Sequence, residues 1–141
     1  MRRQPRCVCV NLRRLARITT QLYDEALAGS GLKVTQYSLL CAVEREQPLA
    51  ISALAEELDL DRTTMARNLT PLERDGLIVL RPGDDKRVTL VTLTARGAAA
   101  IARARPAWER AQARIAARIG PERLATLREL ALELAPMAQR S

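Results

Sequence analysis

Three cysteines are the residues of this sequence best suited to redox or metal-ligating chemistry. Cys7 and Cys9 stand two residues apart near the N-terminus, and Cys41 stands well away from both. Thiolates bind soft ions such as As(III), Sb(III) or Cu(I), and they are also readily oxidised by peroxides. Two hypotheses follow: the three thiols bind a soft metal or metalloid ion, or Cys9 is oxidised. In the alternative interpretation they are small buried hydrophobic residues; no cofactor is required in any case.

The geometry of the Cys7–Cys9 pair depends on where the first helix begins. If the helix begins near Asn11, the preceding segment is extended and both thiols point to the same side. If Pro5 opens the helix instead, side chains two residues apart diverge by about 200° and do not chelate one ion together. The sequence leaves both geometries open.

The absence of histidine narrows the possible activities. The 141 residues contain none, so a histidine-based triad, general base or zinc site cannot be built from this chain, and we expect no enzyme. An odd number of cysteines argues against a secreted disulfide framework, and no stretch approaches the roughly 20 apolar residues that span a bilayer. The sequence therefore predicts a cytoplasmic protein without a membrane partner.

The charge balance favours a polyanionic partner. Lysine and arginine total 23 against 16 acidic residues, a formal charge of +7. This positive charge favours nucleic-acid binding. One Trp, two Tyr and no Phe disfavour stacking on unpaired bases. Double-stranded DNA is therefore the expected nucleic acid.

Helix-capping residues and helix stops divide the remaining sequence into elements. Apolar residues recur at three- and four-residue steps from Leu12 to Ala26, which predicts an amphipathic helix. Two β-branched runs, 77–80 and 88–93, predict a hairpin with a charged tip. Further helices are predicted after caps at Thr35, Ser52, Asp61 and Thr94, with stops at 29–31, Pro48, 75–76 and 120–121. The expected fold is one domain, 1–141, mainly α with a small β-hairpin wing.

The two short helices that begin near Ser52 and Asp61 have the spacing of a helix-turn-helix. On a wheel of the second, Met65, Leu69 and Leu72 face one side, while Thr63 and Arg67 lie opposite with Thr70 and Arg74. Hydroxyls and arginines on an outward face suit phosphates and base edges; a merely solvated helix face is the alternative. The predicted DNA contacts on these helices are Ser52, Arg62, Thr63, Thr64, Arg67 and Asn68.

The charged hairpin tip extends the predicted DNA-reading region to 51–94. Arg81, Lys86 and Arg87 place cations beside the second helix, where such an arm can reach a minor groove or its phosphates. Asp85 stands two residues before Arg87 and is expected to orient its guanidinium group. All four are predicted to belong to the DNA-binding site.

Three segments carry a resemblance to the MarR family of bacterial regulators. They are Ile-Ser-Ala-Leu-Ala-Glu-Glu-Leu at 51–58, Arg-Asn-Leu-Thr-Pro-Leu-Glu-Arg-Asp-Gly-Leu at 67–77, and Asp-Lys-Arg at 85–87 followed by Leu-Thr-Ala-Arg-Gly at 93–97. The resemblance implies a winged helix-turn-helix at 33–94 and dimerisation helices at 10–29 and 95–139. It also implies a homodimer bound to a pseudo-palindromic DNA operator, with repression relieved by a small ligand or by thiol chemistry.

The resemblance also bears on the alternatives for the effector. Members of the branch that senses organic hydroperoxides carry a reactive Cys just before the first helix, where Cys9 stands, but usually a Tyr where this chain has Arg13. An organic ligand between the dimerisation helices and the winged core is a third possibility.

The long apolar stripe beginning at Ile101 independently favours a dimer, with an intramolecular helical hairpin as the alternative. A winged domain that binds protein is the alternative to DNA binding.

Overall fold

The computed structural model describes residues 6–138 and has the expected architecture, mainly α with a small β-hairpin wing. The elements follow in the order α1 (Val8–Leu27), a 3₁₀ turn (Ala28–Ser30), α2 (Val34–Glu46), β1 (Leu49–Ala50), α3 (Ile51–Glu57), α4 (Arg62–Arg74), β2 (Ile78–Pro82), β3 (Thr89–Leu93), α5 (Ala95–Ile119) and α6 (Pro121–Ala138). None of the helices within 6–138 is both long and apolar enough to cross a membrane.

The start of α2 corrects the predicted cap at Thr35. The helix begins at Val34, two residues earlier than a cap at Thr35 predicts, and the backbone N–H of Val34 donates to Oδ1 of Asp24 at 2.8 Å. The carboxylate that satisfies this helix end therefore comes from α1, ten residues upstream. A local capping rule does not find it, because it considers only side chains adjacent to the helix.

The start of α3 corrects the predicted cap at Ser52. Ala50 precedes the helix, so Ser52 is an exposed residue of its first turn and does not cap it. The reason is β1, a strand the sequence did not reveal, which pairs antiparallel with β3 through Leu49 and Val91. This pairing brings the chain into α3 immediately after Ala50. Two residues are too short to show the alternation that marks a strand.

A single hydrophobic core joins the winged unit to α5. The three strands form an antiparallel sheet in the order β1–β3–β2, and β3 supplies the fully buried Val91. Leu40 of α2, Leu54 of α3, Leu69 of α4 and Ile101 of α5 are likewise 0–1% exposed. Because every element of the winged unit contributes to this cluster, α4 has a fixed orientation relative to the hairpin.

The last two helices extend beyond the core. Thr94 caps α5 as predicted, its hydroxyl accepting from the Gly97 N–H at 2.9 Å, and Gly120, at φ +90°, separates α5 from α6. Ala104 and Ala111 of the predicted apolar stripe are buried, whereas α6 has no buried residue. Much of α6 is therefore not covered by its own chain.

Candidate nucleic-acid interface

Helix α4 has one buried face and one exposed face, as its sequence pattern predicts. Met65 and Leu72 are completely buried, while Thr63 and Arg67 are exposed on the other side. The burial of one face holds the helix against the core, and it leaves the opposite face accessible to a ligand. Arg62, Thr70 and Arg74 are also exposed.

The cap of α4 determines what Thr64 can do. Asp61 accepts two hydrogen bonds from this residue, from its backbone N–H to Oδ1 and from its hydroxyl to Oδ2, both at 2.8 Å. These bonds hold the pKa of the Asp61 carboxyl below its usual range. The half-buried Thr64 thus supports the start of α4, whereas Thr63 and Arg67 are exposed.

The turn between α3 and α4 contains a backbone conformation that the sequence did not reveal. Asp59 has φ +51°, in the left-handed region that is unfavourable for residues with a side chain. The Leu60 N–H donates to the Ala55 carbonyl at 2.9 Å, which closes the turn. This tight turn sets the angle at which α4 leaves α3.

The hairpin after α4 forms the predicted wing. Strands β2 and β3 pair from Ile78↔Leu93 to Pro82↔Thr89, and the Gly83 N–H donates to the Val88 carbonyl at the tip. Arg81 and Lys86 are both exposed. The wing therefore projects cations from a hydrogen-bonded hairpin and not from a free loop.

Asp85 orients Arg87, as its position two residues earlier in the sequence predicts. The Arg87 guanidinium donates from Nε to Oδ1 at 3.2 Å and from Nη2 to Oδ2 at 3.1 Å, and the Arg87 backbone N–H donates to Oδ1 at 3.0 Å. The guanidinium group lowers the pKa of the Asp85 carboxyl. The arginine is nevertheless 91% exposed, so it is oriented and still available to a phosphate.

The root of the wing is attached closely to α5. The Thr94 N–H donates to the Leu77 carbonyl at 3.1 Å, and the Thr94 hydroxyl donates to the Gly76 carbonyl at 2.7 Å. A Cβ atom added to Gly97 would lie 2.1 Å from the Leu77 carbonyl oxygen. Only glycine allows this approach of helix and strand.

The cysteines are not gathered at one point. Cys7 immediately precedes α1 and has extended backbone angles, while Cys9 already belongs to the first turn, so neither of the two expected geometries for the pair applies. Both are exposed, whereas Cys41 of α2 is half-buried. Within residues 6–138 no group of three Cys, Asp or Glu side chains is arranged to hold a metal ion.

Burial distinguishes Cys41 chemically from the other two cysteines. Desolvation raises the pKa of its thiol, with the nearby phenol of Tyr37 acting in the opposite direction.

Tyr37 also lies against Trp108, with ring centroids 5.6 Å apart, and Trp108 stacks on Tyr23 with ring centroids 6.4 Å apart. These are all the aromatic residues of the chain. This junction of α1, α2 and α5 was not predicted from the sequence, because three aromatic residues far apart along the chain give no periodic signal.

Apolar side chains remain exposed on the outer helices. Leu15, Ile18 and Leu22 of α1 line an open groove of about 890 Å³ together with Ile115 and Ile119 of α5. The three α1 residues are each about 45% exposed. Contiguous exposed apolar surface is typical of interaction sites in proteins.

Comparison with known proteins places this architecture among bacterial regulators. A family model described as MarR family matches residues 30–88. An HTH-type transcriptional regulator of Bacillus cereus (strain ATCC 14579) is 32% identical over 99 residues, which are 70% of this chain and 66% of that protein. The chain thus spans just under two thirds of this curated relative. SarZ, an HTH-type transcriptional regulator of Staphylococcus epidermidis, is 34% identical over 76 residues, 53% of this chain and 51% of SarZ.

Solved structures extend the similarity to nearly the whole chain. The transcriptional regulator MosR of M. tuberculosis, in a structure with DNA, has a TM-score of 0.85 and 38% identity and covers 96% of this chain and 99% of its own. The PcaV regulator of Streptomyces coelicolor, solved with its natural ligand, has a TM-score of 0.83 at 24% identity, covering 98% of this chain and 99% of its own, and shows the shared fold alone. Each of these proteins is a transcriptional regulator, in agreement with the expectation that this chain is not an enzyme.

Proposed function

The chain belongs to the MarR family of transcriptional regulators, as its motifs indicated, and from this premise we propose that it is a repressor that binds a pseudo-palindromic DNA operator as a homodimer. In this proposal α4 enters the major groove and the wing contacts the adjacent minor groove or its phosphates. The observation that carries it is the combination of the exposed Thr63–Arg67 face with the pre-oriented Arg87.

DNA binding is tested by fluorescence anisotropy with a duplex from the region upstream of the protein's own coding sequence. An arginine that contacts guanine contributes about 1–3 kcal/mol of discrimination, so Arg67→Ala is expected to weaken specific binding by about 5- to 150-fold. Arg87→Ala should reduce the slope of log affinity against log salt by about 0.9 for each subunit's lost phosphate contact. Arg128→Ala on α6 is the control and should change neither quantity. If Arg87→Ala leaves affinity and salt slope unchanged, the wing assignment is wrong.

The homodimer is supported by the exposed apolar faces of α1 and α6. On α6, Leu127, Leu130 and Leu134 fall within about 60° of each other on a helical wheel and are each 42–48% exposed. A second copy covers these faces most simply, and two-fold symmetry then matches a pseudo-palindromic operator.

The oligomeric state is measured by sedimentation equilibrium. Leu130→Glu should produce monomers and weaken operator binding with it, because a charge would be buried in the interface. Leu132→Glu is the matched control: this residue is 75% exposed and lies about 140° from Leu127 on the wheel. A Leu130→Glu protein that remains dimeric would exclude this face as the interface.

For the effector we propose a thiol-reactive agent that acts on Cys7 and Cys9. Both thiols are exposed at the start of α1, the helix whose apolar face is assigned to the dimer. Cys41 is a poorer candidate, because its raised pKa keeps the thiol protonated and less nucleophilic at neutral pH. Because no three ligands converge within the described part of one chain, a three-coordinate ion such as As(III) or Sb(III) would take thiolates from both subunits.

Operator release is then titrated with arsenite, antimonite, Cu(I) and an organic hydroperoxide, in the parent and in single Cys→Ser variants. Cys7→Ser or Cys9→Ser should abolish the response, and Cys41→Ser should preserve it. A bound ion adds its own mass to the protein in native mass spectrometry, and a competing dithiol removes it. A hydroperoxide instead transfers one oxygen to a thiolate, forming a sulfenic acid and releasing the alcohol. A response that survives all three substitutions would refute thiol sensing and favour an organic ligand.

A further inference from the structure

A small polar cleft lies between the beginning of α2 and one flank of α4, where the exposed and buried faces of that helix meet. It has a volume of about 160 Å³, equivalent to about five water molecules in the liquid. Its lining consists of Lys33, Thr35, Gln36 and Leu39 on one side and Arg67, Asn68, Pro71 and Leu72 on the other. The cleft therefore adjoins the proposed DNA-reading face through residues that belong to both.

The polar groups in this cleft are suited to an anion. Lys33 and Arg67 are the charged residues that line it, and no carboxylate is among the lining residues in the described part of the chain. Oε1 of Gln36 accepts from the Lys33 backbone N–H at 3.0 Å, so the Nε2 amide is the end that can donate. With the hydroxyl of Thr35, the cleft offers an ammonium, a guanidinium, an amide and a hydroxyl as donors.

We propose that this cleft binds a backbone phosphate of the DNA whose major groove holds α4, with Lys33 as the principal cation. The inference rests on the proposed function of α4. A helix in the major groove lies between two phosphate strands, and half to two thirds of protein–DNA hydrogen bonds go to phosphate and sugar groups. A phosphate contact on this side of α4 positions the helix without reading a base. Arg67 and Asn68 lie between the cleft and the side of α4 that faces the groove.

Lysine chemistry makes the proposal directly testable. The chain contains 23 Lys and Arg residues, and Lys33 and Lys86 are the lysines among them. Lys33 lines the cleft and Lys86 lies at the wing tip, so the two lysines report on different parts of the proposed interface. A compact ammonium group suits a point contact with phosphate, and it reacts with amine-acylating reagents that ignore arginine.

The first experiment is amine acylation of the full-length protein with and without the upstream duplex, followed by mass spectrometry of each lysine. We expect DNA to protect both Lys33 and Lys86. Protection of Lys86 with unchanged acylation of Lys33 overturns the cleft proposal and leaves the proposed function intact. If neither lysine is protected and no binding is seen by anisotropy, the proposed function fails and the cleft proposal fails with it.

The second experiment compares the salt dependence of Lys33→Gln and Lys33→Arg. Loss of one phosphate contact lowers the slope of log affinity against log salt by about 0.9. When the salt concentration rises fourfold, the fall in affinity of Lys33→Gln should therefore be smaller than that of the parent by a factor of about 3.5 for each subunit. The change should be equal on the upstream duplex and on a scrambled one, and Lys33→Arg should restore the parental slope. Arg17→Gln is the matched control, a cation of α1 near Lys33 that does not line the cleft. A parental slope for Lys33→Gln in a protein with unchanged circular dichroism overturns the proposal.

Discussion

Replacing Gly97 by alanine sets two opposing effects against each other at the junction of wing and α5. Alanine is favoured over glycine within a helix by about 1 kcal/mol. The new Cβ atom, however, would lie 2.1 Å from the Leu77 carbonyl oxygen and 2.9 Å from Cδ1 of Leu93. A carbon–oxygen contact needs about 3.3 Å, so α5 and the chain at Leu77, just before β2, would have to separate by more than 1 Å.

The hydrogen bonds at this junction resist that separation. Thr94 donates to the carbonyls of Leu77 and Gly76 at 3.1 and 2.7 Å, and losing both costs about 2 kcal/mol at about 1 kcal/mol each. Overpacking adds about 2 kcal/mol. After subtraction of the roughly 1 kcal/mol of helix propensity, Gly97→Ala is expected to lower the free energy of unfolding by about 3 kcal/mol.

Equilibrium urea unfolding followed by circular dichroism, at one fixed protein concentration, measures this value. Gly29→Ala is the control, since a Cβ atom there meets nothing within 4 Å and the backbone is not left-handed. It should change stability by less than about 1 kcal/mol. If Gly97→Ala is as stable as the parent, the close approach of α5 to the wing root does not exist as described.

Three further predictions concern the turn, the wing and the thiols. Asp59→Gly should stabilise the protein by about 0.5–1 kcal/mol in urea unfolding, because relief of the left-handed strain at φ +51°, about 1–2 kcal/mol, exceeds the cost of glycine's greater unfolded-state entropy; a destabilised variant would refute the strain argument. Asp85→Asn should weaken DNA binding by about two- to fivefold in anisotropy by releasing Arg87, an exposed pair of modest strength, whereas Asp84→Asn, which only removes a negative charge, should not weaken it. Pairing with Arg87 lowers the pKa of Asp85, so the ion pair is intact above the usual carboxyl pKa near 3.9 and is lost only as pH falls through the lower, folded-state pKa. The contribution of the pair to DNA binding should therefore be constant from about pH 5 to 8. A loss of that contribution within this range would contradict the pairing. Cys41 should react with N-ethylmaleimide more slowly than the two exposed cysteines at neutral pH and should accelerate at alkaline pH, since burial raises its pKa; mass spectrometry of the three peptides checks this, and equal rates would refute it.

Periodicity and caps were sufficient to predict most of the helical framework. The inward positions Met65, Leu69 and Leu72 were predicted and are buried, because a helix buries a stripe that recurs every 3.6 residues whatever it packs against. Asp61 and Thr94 cap α4 and α5 as predicted, since these hydrogen bonds join residues three apart. The Asp85–Arg87 pair follows from the same short-range logic. The sequence by itself thus determined those features whose interacting atoms are near each other along the chain.

Tertiary structure decided the features whose partners are distant in sequence. Asp24 caps α2 from the preceding helix, and β1 exists only because Leu49 meets Val91 across the sheet. The cleft between Lys33 and Arg67 and the aromatic junction at Trp108 likewise depend on how helices pack, and no local pattern encodes them. For the cysteines, the start of α1 at Val8 gave the Cys7–Cys9 pair a geometry that the sequence did not predict, and packing made Cys41 different from both.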